Sequence, residues 1–491
     1  MQKILNALKL GLLGVIVITI IVLGKVSLTD MTWILPTVVG MVIGASAYYF
    51  KHKKVDDMMG AFAIASGTLF WSIFFISNTY FFTEDEIMVA AKPSSEKIKL
   101  HTKPKETRVI TKKMALRLAK QTIAKKVDGV NISTQFKLDG DNASIQIVNG
   151  ELIWVIPLDY QGVVKYLNQE FIPGYVEVSA IDGGTVAKLI SDKKIRLSKA
   201  GFFQHSIEMR AWKEANYGVY SYHFEIDDKG TPFWIVSAKK ALNVGGCVRV
   251  VDYVTVINAE TLESKKVSPE NVKKEFPWID KIIDDSQAEN IIDGYTSLKE
   301  GWWNQIPVFG PKENISKPTN YNGKELWFVQ IDGRGYYMSG LSSVTSEDNS
   351  LIGIVFQDTI TGETYINENV SGMDESAAIK AVEGALGNDA VKWKVVLPQL
   401  VHYNNKWYWS TTVVSSSGFF QKVGVVEIDN SKNVFFGKSV KLALEKASYF
   451  TNGYENDSKE QEMISIPKVE LMKLQEQLRE MQDTLNVLLS E

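Results

Sequence analysis

The chain of 491 residues has one cysteine, Cys247, in the segment Gly245-Gly246-Cys247-Val248-Arg249-Val250. A thiolate there can attack a carbonyl carbon if a histidine takes its proton, and the sequence offers His52, His101, His205, His223 and His402. None of these stands at metal-ligand spacing from another or from the cysteine, so no zinc site is expected. The second reading of Cys247 is structural. CVRVVDYVTVIN has the composition of a strand pair, in which cysteine serves as a small buried apolar residue. Asp227-Asp228 and Asp284-Asp285 read as solvated turns, and Gly183-Gly184-Thr185 lacks the lysine of a phosphate loop. Trp302-Trp303 and Trp407-Tyr408-Trp409 are rings of a kind that fills a small sheet's core or stacks a sugar or peptide. No cofactor is implied by any of these groups.

A single cysteine excludes an intramolecular disulfide, and 491 residues are too many for one hydrophobic core. With 54 basic against 57 acidic side chains the net charge is -3, which offers no global field to attract nucleic acid. Nucleic acid is therefore not an expected partner.

The elements that must position these residues begin with three apolar runs, Leu8–Gly24, Met31–Phe50 and Met59–Phe82, each close to the length that crosses a bilayer. They predict three transmembrane helices within residues 1–83 and the lipid bilayer as a partner. Lys51, Lys53 and Lys54 place the second loop inside, with the N-terminus cytoplasmic and residues 84–491 extracytoplasmic. Residues 84–104 read as a stalk.

Beyond the stalk one pattern recurs. Gly150 precedes Trp154 by four residues, Gly230 precedes Trp234, Gly323 precedes Trp327, and Asn405 precedes Trp409. Each copy gives a polar turn and then a strand led by an aromatic, and each closes on a strand that ends near Asp182, Asn258, Asp358 or Asp429. Amphipathic helices lead the first and fourth copies, at Thr111–Lys126 and Ser371–Leu386. The expectation is four helix-plus-antiparallel-sheet modules: 105–190, 191–267, 268–367 and 368–440. The fold class is then a membrane-anchored α+β protein with tandem modules and a C-terminal coiled-coil helix.

DESAAIKAVEGALG and the turns INAETLES and QDTITGE resemble PepSY domains, small helix-plus-sheet modules, over residues 105–440. That resemblance implies an extracytoplasmic, non-catalytic module that binds or restrains another protein, often an envelope protease, and it carries no catalytic residue. GGCVRV is similar to the S-x-G-C-[IV]-R segment of L,D-transpeptidases, with Val244 where that family has serine. This second resemblance implies a peptidoglycan-acting enzyme with Cys247 as nucleophile.

After a linker, 441–467, the chain ends in a heptad seam over 468–491: Leu471, Leu474, Leu478, Met481, Leu485 and Leu488. Those six side chains predict a homo-oligomer. The sequence thus describes a non-catalytic membrane-anchored envelope protein whose modules bind or scaffold a protein or cell-wall component; the alternative is the cysteine transpeptidase.

Overall fold

The computed structural model describes residues 83–456, apart from 97, 99–102, 104–105, 128–129, 244–245, 302–303, 305–315, 321–325 and 344–349. Of the described residues, those up to Leu444 belong to one compact unit and those from Glu445 onward to a second.

Helix α1 (Glu84–Ala91) opens the described chain, followed by the two-residue strand β1 (Pro93–Ser94). Four sheets then succeed one another. The first has helix α2 (Lys112–Ile123) and strands β2 (Phe136–Leu138), β3 (Ser144–Val148), β4 (Glu151–Tyr160), β5 (Tyr175–Ser179) and β6 (Lys188–Ile190). The second has α3 (Ile207–Glu214) and a meander of β7 (Val219–Ile226), β8 (Pro232–Ala241), β9 (Arg249–Asn258) and β10 (Ser264–Val267). The third has α4 (Asp285–Leu298), β11 (Ser316–Pro318), β12 (Trp327–Ile331), β13 (Arg334–Ser343), β14 (Gly353–Asp358) and β15 (Thr364–Asn367). The fourth has α5 (Glu375–Ala385) and the meander β16 (Trp393–Tyr403), β17 (Lys406–Ser415), β18 (Phe420–Glu427) and β19 (Asn430–Gly437). A last helix, α6 (Val440–Asn456), follows.

The same local chemistry builds each sheet. In three of them the strand ahead of the central one turns through two residues with positive φ, Asn149-Gly150, Asp332-Gly333 and Asn404-Asn405, the backbone a tight right-twisted hairpin requires. The second sheet uses a longer turn, in which Gly230 has φ 76°. An aromatic residue on the next strand then reaches back across the sheet to the segment that leads into the helix. The Trp154 Nε1 donates to the Ile110 carbonyl (2.8 Å), Trp234 Nε1 to Leu197 (2.9 Å), the Tyr337 hydroxyl to Ile283 (2.8 Å) and Trp409 Nε1 to Met373 (2.8 Å). The backbone N–H groups of those lead residues bond the carbonyls of Ala180, Ala259, Thr359 and Ile428, each just beyond the strand that follows the aromatic's own. A buried ring's polar tip needs a partner, and here one carbonyl of the helix lead supplies it in every sheet. Thr111, Asp284 and Asp374 directly follow three of these leads and cap α2, α4 and α5.

This register corrects the sequence reading at two places. Trp327 is not the third equivalent of Trp154: it begins β12, one strand early, opposite Met338. Tyr337 holds the position, four residues after Gly333. The closing residues in register are Ser179, Asn258, Asp358 and Glu427, so Asp182 and Asp429 lie just beyond the matching place. Residues 84–104, read as a stalk, include α1, which buries Ile87, Ala90 and Ala91, and β1, which pairs in parallel with β15.

The membrane-anchored α+β fold class is corrected as well. The three apolar runs lie outside the described residues, and among the described residues no helix is long and apolar enough to cross a membrane. Among the described residues strand (40%) exceeds helix (27%), so their architecture is mostly β. The physical reason lies in the repeat, which gives each sheet one short helix; α4 has 14 residues and α6 has 17 with lysines and glutamate, against the roughly 20 apolar residues a span needs. The multi-pass topology and the extracytoplasmic placement of 84–491 are not supported by this structure.

Contacts join the four sheets in a circuit. Gln146 of the first sheet bonds the Phe224 carbonyl and the Ile226 N–H of the second. Glu225 of the second accepts from the backbone N–H of Asp280 in the approach to α4. The third and fourth share a core in which Met338 and Phe356 pack with Val382, Trp409 and Val426. Thr412 of the fourth donates to the Val109 carbonyl ahead of α2 (2.9 Å), which returns the circuit to the first.

Candidate ligand-binding cleft

A cleft of about 710 Å³ lies among residues from all four sheets and their leads, a volume within the range of small-ligand sites. The first sheet contributes Arg108, Ala143, Ile145 and Trp154. The second contributes Tyr222 and His223, the third Lys281, Asp285, Trp327 and Phe328, and the fourth Lys394, Val396 and Leu397.

Its charges are unevenly partnered. Arg108, Lys112, Lys113, Arg117, Lys281 and Lys394 line it, and among the described residues none of the six forms an ion pair. The acids of the cleft are already engaged. Asp141 pairs with Lys199 at 2.6 Å, Asp284 pairs with Lys239, and Asp285 accepts from the Tyr337 hydroxyl at 2.9 Å. Burial, and after it the Lys281 ammonium, push Lys112 below the ordinary lysine value. Burial alone would raise Asp284, but Lys239 outweighs it and holds that carboxyl low. The site therefore presents surplus positive charge inside a protein of net negative charge.

Arg108 is the most unusual of these groups. It is 5% exposed, and its guanidinium carbon lies over the Trp154 ring at 5.7 Å and over the Trp327 ring at 5.9 Å. No described residue accepts a hydrogen bond from it, and its Nε is sealed from solvent without a partner. Burial lowers its pKa to about 10, against a smaller opposing pull from Asp285, so the group is charged at neutral pH. Two indole faces offset part of the desolvation cost, about 2 kcal/mol or more for each well-placed buried contact.

Behind His223 lies a second buried cluster, linked by three hydrogen bonds. His223 Nε2 meets Glu225 Oε1 at 2.8 Å, Glu225 Oε2 accepts from Asp280 N–H at 3.1 Å, and Asp280 Oδ2 accepts from Ile147 N–H. Burial pushes Glu225 up to about 7, and burial with the Glu225 charge pushes Asp280 well above the ordinary aspartate value. His223 is held well below its usual value by burial and then by Lys281.

The residues singled out in the sequence are scattered. Cys247 lies in the loop before β9, where the Asn243 side-chain amide contacts its sulfur at 2.9 Å, and it lines a separate hollow of about 110 Å³ with Ile87, Val248 and Ile291. No histidine lines that hollow among the described residues, so the structure does not join Cys247 to His223. Asp284 and Asp285 are not solvated turn residues: they cap and open α4 at the cleft. Asp227 does serve a turn, accepting from Lys229 and Thr231 N–H. Trp409 is core, whereas Trp407 packs at a tilt against His402, ring centroids 4.7 Å apart. Trp302, Trp303, His52, His101 and the seam Leu471, Leu474, Leu478, Met481, Leu485 and Leu488 lie outside the described residues.

Sequence reading missed the cleft because its cations come from stretches far apart, from Arg108 to Lys394. The only local sign is the run Lys112-Lys113-Met114-Ala115-Leu116-Arg117, whose cations also read as the solvated face of an amphipathic helix. No family model, no characterised protein and no solved structure matches the chain, so its function is read from the cleft itself.

Proposed function

We propose that this chain is a non-catalytic binding protein that holds a segment of a partner protein in the cleft where its four sheets meet. The observation that carries the reading is the construction of that cleft: every sheet contributes to one concavity, so the repeat's joint product is a single binding surface. The PepSY-like stretches at 371–386 and around Asn258 and Asp358 imply the same class of activity. Self-association through residues 468–491 belongs to this proposal as the means of presenting several clefts together.

Selection of random peptides against the full chain tests the reading. The expected result is a set of peptides that compete with one another, lose affinity for a Lys113→Glu/Lys394→Glu variant, and return from incubation with unchanged mass. Peptides that bind the variant equally well would place binding elsewhere. A cleaved peptide, or an adduct on Cys247, would overturn the non-catalytic assignment in favour of the cysteine enzyme.

A further inference from the structure

We infer that the cleft holds a carboxylate-specific subsite, with the guanidinium of Arg108, flanked by Trp154 and Trp327, as the group that receives the ligand's carboxylate. This rests on the cleft being the binding site and names the chemistry of what it takes.

Three independent observations converge on it. A guanidinium that is 5% exposed and meets no hydrogen-bond acceptor among the described residues is a costly group to keep, because a buried donor is normally paired. A folding role does not explain it, since an apolar side chain of similar length would fill the space between two indoles without the charge. The surrounding charge has the sign a carboxylate needs: Asp141 and Asp284 are neutralised by Lys199 and Lys239, and Lys112, Lys113, Arg117, Lys281 and Lys394 outnumber the Asp285 carboxylate near Arg108. The neighbours also fit the geometry. Indole rings beside the guanidinium leave its edge as the polar approach, and a planar carboxylate meets that edge with two parallel hydrogen bonds. Trp327, Phe328, Val396 and Leu397 supply apolar wall for the rest of a side chain or a peptide terminus.

One small hollow shares this arginine. It measures about 20 Å³ and is lined by Glu106, Thr107 and Gln330, each of which has a buried side-chain oxygen without a partner, while the other Glu106 oxygen meets Lys103 Nζ at 3.5 Å. That volume holds at most one water, too little to supply every donor of the guanidinium.

A side-chain carboxylate and a chain-terminal one share this chemistry, and three probes separate them: acetyl-tetraalanine with a free C-terminus, the same peptide amidated, and an amidated peptide carrying one glutamate. Each is titrated calorimetrically against the full-length protein, with inorganic phosphate as a fourth probe. The free-acid peptide, the glutamate peptide or both are expected to bind, and the amidated tetraalanine to bind at least about tenfold more weakly. Arg108→Met should lower the affinity of the carboxylate probe by about 10- to 100-fold, the weight of a charge-assisted pair, and Arg108→Lys should recover only part of it. The discriminating readout is thermal stability without ligand. Arg108→Met is expected to melt no lower than the parent, because the buried charge serves a ligand; a large fall in its Tm would show a structural arginine and overturn the inference. Equal carboxylate affinity in parent and Arg108→Met would overturn the subsite while leaving the cleft as the binding site. Phosphate binding more tightly than any carboxylate would overturn the ligand class. If no carboxylate probe binds the parent although selected peptides do, the inference fails and the binding function stands.

Discussion

Two buried charged groups adjoin the same cleft and are treated in opposite ways. At the seam between the second and third sheets, Glu225 shares a hydrogen bond with His223 Nε2 and accepts one from the Asp280 backbone, and Asp280 Oδ2 accepts one from Ile147, so each buried carboxyl has a partner. Arg108 has two aromatic faces and no acceptor among the described residues. Burial costs both, but only the first recovers that cost inside the protein. The difference separates a group that holds the fold together from one kept for something that arrives later. It predicts opposite outcomes when each is removed.

The largest effect belongs to the seam. Asp280→Ala strands the Ile147 N–H in the interior, while the Asp280 backbone N–H keeps its bond to Glu225, and should cost about 2 to 3 kcal/mol of unfolding free energy. Denaturant titration measures it. A loss below about 1 kcal/mol would remove the distinction between the seam and Arg108, since neither would then contribute to folding.

How far the sequence anticipated these groups depends on the range of the interaction. Thr111 and Asp374 are legible as helix caps because the donor lies three residues on, within one turn. Trp154, Trp234 and Trp409 are legible because a turn and an aromatic recur four residues apart. The third copy misled for a specific reason: Asn322-Gly323 and Asp332-Gly333 are both hairpin signals, each followed at the same distance by an aromatic, Trp327 or Tyr337. The choice is made by strand pairing, with Ile331 opposite Arg334 across the second of these turns, and pairing is not a local property. The cleft was least legible of all. A net charge of -3 describes the whole chain and hides a concentration of cations outside ion pairs, assembled from the first, third and fourth sheets and their leads.

Acidity sharpens the comparison next. Glu225 is pushed up to about 7, above its ordinary 4.5, so the folded chain keeps a proton that the unfolded chain releases over that interval. Its contribution is fully present below pH 4.5 and is lost as pH rises through about 7. Asp280, raised well above its ordinary value, acts in the same direction. His223 works against them on the acid side: held well below 6.5, it stays neutral while the unfolded chain takes up a proton, so stability from it falls as pH drops below 6.5. Glu225→Gln cannot ionise, and the Tm of the variant minus that of the parent should therefore grow as pH is raised from about 5 to about 8. A constant difference would mean that Glu225 titrates as an ordinary surface carboxylate and that the seam carries no buried proton.

The smallest effect concerns the one sheet whose aromatic clamp is a phenol. The Tyr337 hydroxyl donates to the Ile283 carbonyl at 2.8 Å and lies 2.9 Å from Asp285 Oδ1, so a single oxygen fixes the helix lead and touches the carboxylate that faces Arg108. Tyr337→Phe keeps the ring, which is 1% exposed, and removes only the hydroxyl. The Ile283 carbonyl loses its side-chain donor, but the Ile283 N–H remains bound to Thr359 and the lead stays in place. The expected cost is about 1 kcal/mol, the loss of one hydroxyl proton shared between the Ile283 carbonyl and Asp285 Oδ1, seen as a lower urea midpoint at unchanged slope. An unchanged midpoint would show that the aromatic clamp positions the lead through ring packing alone, and the hydrogen bond shared by the four sheets would then be a consequence of their common register, with no share in holding it.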